Sequence, residues 1–178
     1  HDGDTGLLES IDGRETAPAA ARPDRFLGPD GKPLPFVQAW PGGYSVGVPG
    51  NLRLAWDAHR KWGNLPWADL FQPAIKLAED GYDLGERTAN ALDRLKDIWK
   101  DFPEIQSYFW VDGAPPPVGT LLKNPPLAAL YKRIAAEGPD AFYHGDNAQA
   151  IAKAVTDAPR NPVPMTMADL AGYEAKAR

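Results

Sequence analysis

The spacing of apolar positions changes near residue 50. Ahead of it, Leu7 to Asp12 is short and apolar at alternate and adjacent positions, which predicts a strand. The run Gly13-Arg14-Glu15-Thr16-Ala17-Pro18 follows, and then an alanine-rich step. From Pro23 to Gly43 prolines and glycines are dense, predicting a long irregular excursion. Loops of that length are uncommon inside compact domains and are often functional. Tyr44 to Val48 predicts a second short strand, closed by Pro49-Gly50.

Beyond residue 50 the spacing is helical. Asn51 is a candidate cap for a helix with Leu52, Ala55, Trp56 and His59 at i, i+3, i+4 and i+7, stopped by Gly63 in the C′ position. Pro66 suits the first turn of the next helix. Its face would be Trp67, Leu70, Phe71, Ala74, Ile75 and Ala78, with a break or kink at Pro73 and a stop at Gly81. Asp83 and Glu86 have capping-box spacing for a third helix burying Ala91, Leu92, Leu95 and Trp99. Phe102 to Gly119 is expected to be irregular. A fourth helix after Asn124 carries the stripe Leu127, Leu130, Tyr131, Ile134 and Ala135, and ends at Gly138. Asp146 is a candidate cap for a fifth, with Ala148, Ile151, Ala152 and Val155 inward. Thr166 and Asp169 have capping-box spacing for a last short one.

The fold expected is therefore mainly α, with one or two short strands near the N-terminus. Residues 1–50 form a strand and turn region, and 51–178 a helical region. Strands so few and short do not make an independent sheet, which suggests a sheet completed by strands outside this chain.

Composition narrows the chemistry. Hydrophobic residues at 43% suffice for a core, and 19 prolines with 17 glycines favour many short elements over a few long helices. A net charge of -5 gives no basic footprint for nucleic acid. No apolar run approaches the length of a membrane-spanning helix, and the opening His-Asp-Gly-Asp-Thr-Gly lacks the basic and apolar regions of a signal peptide. The absence of cysteine removes disulfides, thiolate nucleophiles and zinc-thiolate sites. His1, His59 and His144 show no metal-ligand spacing and are expected to be surface or packing residues. Neither a phosphate-binding glycine loop nor a G-x-S-x-G elbow is present.

One segment remains, Asp12 to Pro18. It places a charged pair directly after a strand and before a proline-fixed turn, where binding residues are commonly presented. The planar fork of Arg14 matches a carboxylate in bidentate geometry. By composition alone, a structural ion pair explains Arg14 equally well.

Five segments lie in one order along the chain: DGRETAP, VGVPG (Val46 to Gly50), LPWADLFQPAIKLAEDGY (Leu65 to Tyr82), LAALYKRIAAEGPDAFYHGDNAQAIAKAV (Leu127 to Val155) and MTMADLAGYEA. In order and spacing they resemble the large subunit of the γ-glutamyltransferases (γ-glutamyltranspeptidases, or glutathione hydrolases) over nearly the whole chain.

The resemblance implies a partial large-subunit domain spanning 1–178, within an αββα fold of the N-terminal-nucleophile hydrolases. It implies a precursor that cleaves itself, so the partner is the small subunit of the same precursor. The nucleophile is that subunit's N-terminal threonine, with its own amine as base. No catalytic residue then falls in this chain. The substrate is a γ-glutamyl amide such as glutathione, with no metal or organic cofactor and no nucleic acid. The arginine of the family's D-x-R-E-x-A-P motif falls on Arg14, which would bind the substrate α-carboxylate. Glu15 would orient that arginine or cap the turn, with direct substrate contact as the lesser alternative. Family members are usually periplasmic or on the cell surface.

In one departure, the chain has Ala158-Pro159-Arg160-Asn161-Pro162-Val163-Pro164 where the family usually has a Gly-Gly turn. Two other readings are open: a related acylase that removes a glutaryl-type β-lactam side chain, and a non-catalytic helical binding domain.

Overall fold

A computed structural model describes residues 1–178. In chain order, strand β1 (Ile11–Asp12) is followed by the short helix α1 (Phe36–Ala39), a 3-10 turn at Gly43–Ser45 and helix α2 (Asn51–Trp62). A second 3-10 segment, Trp67–Phe71, leads into α3 (Gln72–Asp80), then β2 (Tyr82–Asp83), α4 (Glu86–Arg94), α5 (Lys96–Trp99) and α6 (Pro103–Phe109). Next come β3 (Leu121–Leu122), α7 (Pro125–Glu137), α8 (Asp140–Tyr143), α9 (Gly145–Thr156), α10 (Met167–Ala171) and β4 (Lys176–Ala177). The chain is rich in helix, with few and very short strands, as its spacing predicts. Residues 1–67 with 137–178 form one compact unit, and 68–136 form another.

In the first unit β1 pairs antiparallel with β4, Ile11 opposite Ala177 and Asp12 opposite Lys176. The predicted strand at Leu7 to Asp12 is thus shorter than expected, and its partner lies within the chain. No second strand forms at Tyr44 to Val48. The chain makes its 3-10 turn there, and only Val48 bridges, to Thr16. The core gathers Val48 with Tyr143, Ala148, Ala152, Val155, Val163, Met165, Leu170 and Tyr173. Three inward positions predicted for α9, Ala148, Ala152 and Val155, are buried there.

Helix starts separate what spacing shows from what it does not. Thr166 and Asp169 form a complete capping box on α10. Asn51, Asp83 and Asp146 do not cap. Gly50 is the N-cap of α2, its carbonyl already accepting from Leu54 N–H at 3.0 Å, so Asn51 sits inside the first turn. Gly63 closes α2 with its N–H on the His59 carbonyl at 2.7 Å, but in an extended conformation (φ -73) rather than a left-handed one. Asp146 lies in the first turn of α9, where its charge favours the positive helix end. Asn161 takes a left-handed conformation, φ 49, and its side chain donates to the Gln38 and Pro41 carbonyls at 2.7 and 2.8 Å. An asparagine thereby fills the turn where a glycine was the expectation.

In the second unit β2 pairs antiparallel with β3, Tyr82 opposite Leu122. That pairing occupies Asp83, so Gly85 rather than Asp83 precedes α4. Leu84, Ala89, Leu92 and Leu122 form the core, with Trp99 and Phe109 against it. Pro73 does not kink a helix. It stands in the first turn of α3, where its missing N–H needs no partner, and the 3-10 segment precedes it. Pro103 likewise opens α6, a helix inside a stretch expected to be irregular. The Asn124 carboxamide caps α7, accepting from Leu127 N–H at 3.0 Å.

Thr166→Ala removes the hydroxyl half of the α10 box. The expected loss is about 1 kcal/mol of unfolding free energy, measured by urea denaturation against wild type.

Candidate functional site

Arg14 immediately follows β1 and a tight approach at Gly13. A Cβ on Gly13 would lie 2.3 Å from the Leu54 Cβ of α2, so only glycine lets the loop lie against that helix. The Arg14 backbone is held on both sides. Its N–H donates to Asp12 Oδ1 at 3.0 Å, and its carbonyl accepts from the Tyr173 hydroxyl at 2.6 Å. After it, Thr16 and Val48 exchange backbone hydrogen bonds at 2.8 and 3.3 Å, and Ala19 N–H donates to Asp169 Oδ1 at 2.7 Å. Pro18 is buried.

The tethers come from the far end of the chain. Asp12 Oδ2 accepts from the Arg178 guanidinium at 2.6 and 3.2 Å. Asp169 serves twice: Oδ1 holds Ala19, while Oδ2 accepts from Thr166 N–H and hydroxyl at 2.8 and 2.7 Å. Tyr173 stacks on Tyr143, ring centroids 6.1 Å apart and planes 8° off parallel. The Tyr143 hydroxyl donates to the Pro49 carbonyl at 2.8 Å, and the Arg53 guanidinium lies 4.9 Å from its ring centroid. Gly50 fits beneath this pair, where an added Cβ would be 2.0 Å from the Tyr173 oxygen.

On this fixed backbone the Arg14 side chain is 81% exposed. Glu15 Oε1 accepts from Arg14 Nη2 at 2.6 Å. The two candidates from the sequence are therefore brought together as an exposed pair on a rigid loop. The ion pair forms: one nitrogen of the fork is engaged by Glu15, and the side chain stays open to solvent. The histidines lie elsewhere. His59 Nε2 is 2.8 Å from the Leu65 carbonyl and its ring lies beside Trp67, whereas His144 is exposed. No group of three or more His, Asp or Glu side chains is arranged to hold a metal ion. No helix is long and apolar enough to cross a membrane.

Electrostatics follow the tethers. Asp12 is held below its ordinary value, chiefly by the Arg178 hydrogen bonds and then by the Arg14 N–H. Burial would raise Asp169, but the bonds from Ala19 and Thr166 together outweigh it and the net shift is downward. Tyr173 is pushed up by burial first, then by the Asp12 and Glu15 charges, so its hydroxyl stays a donor.

Spacing does not show Tyr173 or Arg178 as parts of the site, and it gives Asp12 no partner. Tyr173 and Asp12 stood inside the quoted motifs, but their partners lie 159 and 166 residues away in sequence.

The gamma-glutamyltranspeptidase family model matches residues 1–178, and the chain belongs to that family. It is 36% identical over 174 residues to the glutathione hydrolase proenzyme of Bacillus subtilis (strain 168), covering 98% of this chain and 29% of that protein. The crystal structure of Helicobacter pylori gamma-glutamyltranspeptidase superposes with a TM-score of 0.90 at 30% identity, covering all of this chain and 50% of that one. The crystal structure of cephalosporin acylase from Bacillus halodurans superposes at 0.77 with 26% identity, covering 97% of this chain and 32% of that one. The chain thus spans under a third of the curated relative's length.

Asp12 and Asp169 both titrate lower folded than unfolded. Their contribution to stability is complete above the unfolded aspartate value, ~3.9, and is lost as the pH falls through the folded values. In urea denaturation from about pH 6 to about pH 3, wild type is expected to lose stability more steeply than Asp12→Asn or Asp169→Asn. Parallel profiles would remove these carboxylates from the account.

Proposed function

We propose that this chain is part of the large subunit of an enzyme that cleaves γ-glutamyl amides such as glutathione, and that Arg14 binds the α-carboxylate of the γ-glutamyl group. The observation that carries the proposal is an exposed guanidinium on a backbone fixed at both its N–H and its carbonyl. A carboxylate clamp needs both properties. The fork must be free to donate to two carboxylate oxygens, and its base must not move, or the far end of the substrate will miss the nucleophile. Glu15, at 2.6 Å, orients the fork and is a positioning residue.

The nucleophile is the N-terminal threonine of the small subunit, released when the precursor cleaves itself. This threonine lies outside these 178 residues, and the complete fold is the αββα arrangement. The threonine hydroxyl gives its proton to its own α-amine and attacks the γ-glutamyl carbonyl. The amide C–N bond breaks, and the leaving amine takes the proton. Water or an acceptor amine then attacks the acyl-threonine and gives a proton to the α-amine; the ester C–O bond breaks, the threonine oxygen takes that proton back, and glutamate or a new γ-glutamyl amide is released. The naming of the Bacillus subtilis relative as a proenzyme supports such processing. Leu8 and Phe36, 82% and 76% exposed, supply apolar surface suited to cover by the remaining polypeptide. The complete protein is exported, to the periplasm or the cell surface.

A second reading, favoured by the cephalosporin acylase likeness, keeps the clamp and changes the acyl group. Arg14 would then hold the distal carboxylate of a glutaryl-type side chain. Relative kcat/KM for glutathione and a glutaryl amide separates the two. These matches give the non-catalytic binding domain no support.

In the complete protein, Arg14→Ala is expected to raise KM for a γ-glutamyl anilide by about 10- to 100-fold, the effect of losing hydrogen bonds to a charged group. Glu15→Gln is expected to have a smaller effect in the same direction. Unchanged kinetics in Arg14→Ala would remove the clamp. The 178-residue chain alone is expected to show no turnover of the anilide, and turnover above background would overturn its place as one part of the enzyme.

A further inference from the structure

The Arg14 side chain is only as well placed as its peptide group, and the carbonyl side of that group rests on one distant hydroxyl. Tyr173 is 5% exposed, and its hydroxyl is 2.6 Å from the Arg14 carbonyl oxygen. The ring is fixed from below by its stack on Tyr143 and by the close approach of Gly50. Tyr143 is itself fixed by Pro49 and Arg53. A chain of rigid contacts therefore runs from the buried core to the peptide that carries the guanidinium. The Asp12 and Glu15 carboxylates both act on the Tyr173 phenol, which places it electrostatically between the two residues flanking the Gly13-Arg14 step.

We infer that Tyr173 is a positioning residue for substrate binding: its hydroxyl sets the height and direction of the Arg14 clamp by fixing the Arg14 carbonyl. This rests on the reading of Arg14 as the carboxylate-binding group. Tyr173 touches no substrate and acts only through Arg14. Losing the hydroxyl lets the Arg14 peptide rotate toward solvent, so the fork samples orientations from which it cannot donate to both carboxylate oxygens. The cost falls on substrate binding more than on the chemical step. A hydroxyl holding only the fold together would lower stability and leave KM alone.

The test is a double-mutant cycle in the complete, processed protein, read as KM and kcat for a γ-glutamyl anilide together with Tm. Tyr173→Phe keeps the stacked ring and removes only the donor. The expected result is a KM raised about five- to tenfold, the weight of one hydrogen bond, with kcat changed far less. In an Arg14→Ala background the same substitution is expected to add nothing, because the group it positions is gone. Asn124→Ala, which removes the side-chain cap of α7 and none of the contacts around Arg14, is the control and is expected to lower Tm with KM unchanged. Replacing Tyr173 by p-aminophenylalanine, which retains a ring donor, is expected to restore KM toward wild type.

Three results would overturn the inference while leaving the clamp standing: an unchanged KM in Tyr173→Phe, an additive effect in the double variant, or an equal KM shift in Asn124→Ala. Should Tyr173→Phe fail to accumulate, the p-aminophenylalanine protein decides, a KM near wild type supporting the inference and a raised KM overturning it. An unchanged KM in Arg14→Ala alone would instead overturn the clamp, and this inference with it.

Discussion

Where the Tyr173 hydroxyl meets the Arg14 carbonyl, the last part of the chain closes on the first. The bond matters because of what stands behind it. Tyr173 and Tyr143 are both buried in the core built by α8, α9 and α10, so the donor is held by packing rather than by a flexible side chain. A backbone carbonyl tied to such a donor loses its freedom to rotate, and the exposed arginine attached to it inherits that rigidity. The glycines at 13 and 50 are part of the same constraint, because a side chain at either would push the loop off its support.

Carboxylates extend the closure along the loop. Asp12 joins Arg178 to the Arg14 N–H, and Asp169 joins the start of α10 to Ala19. Each uses separate oxygens for separate partners, and the bonds they accept keep both ionised. The loop is therefore fastened before, at and after Arg14 by residues from the C-terminal segment, while the guanidinium itself is left to solvent and to Glu15. The Arg22 fork, by contrast, already holds both Asp24 oxygens, at 3.0 and 3.1 Å.

Much of the helical half was legible, for a local reason. The α7 stripe, the inward face of α9 and the Thr166–Asp169 box depend on contacts three or four residues apart, and spacing encodes those directly. The expectations that changed involve longer reach. Tyr44 to Val48 has strand-like composition but no full partner strand, so it turns instead. Asp83 has capping spacing but is taken by pairing with Leu121. Pro73 reads as an interruption and Pro103 lies in a stretch that reads as irregular, yet each opens a helix, because a proline is costly only where its N–H is needed.

The helix-rich character, the family, and the placement of Arg14 and Glu15 at the strand end are written in local spacing or in contiguous motifs. Tertiary structure alone decided which side chains brace that strand end. Tyr173, Asp169 and Arg178 reach it across some 150 residues or more of chain. No periodicity records such a separation, because the hydrogen bonds exist only after the core of α8, α9 and α10 has brought the two ends together.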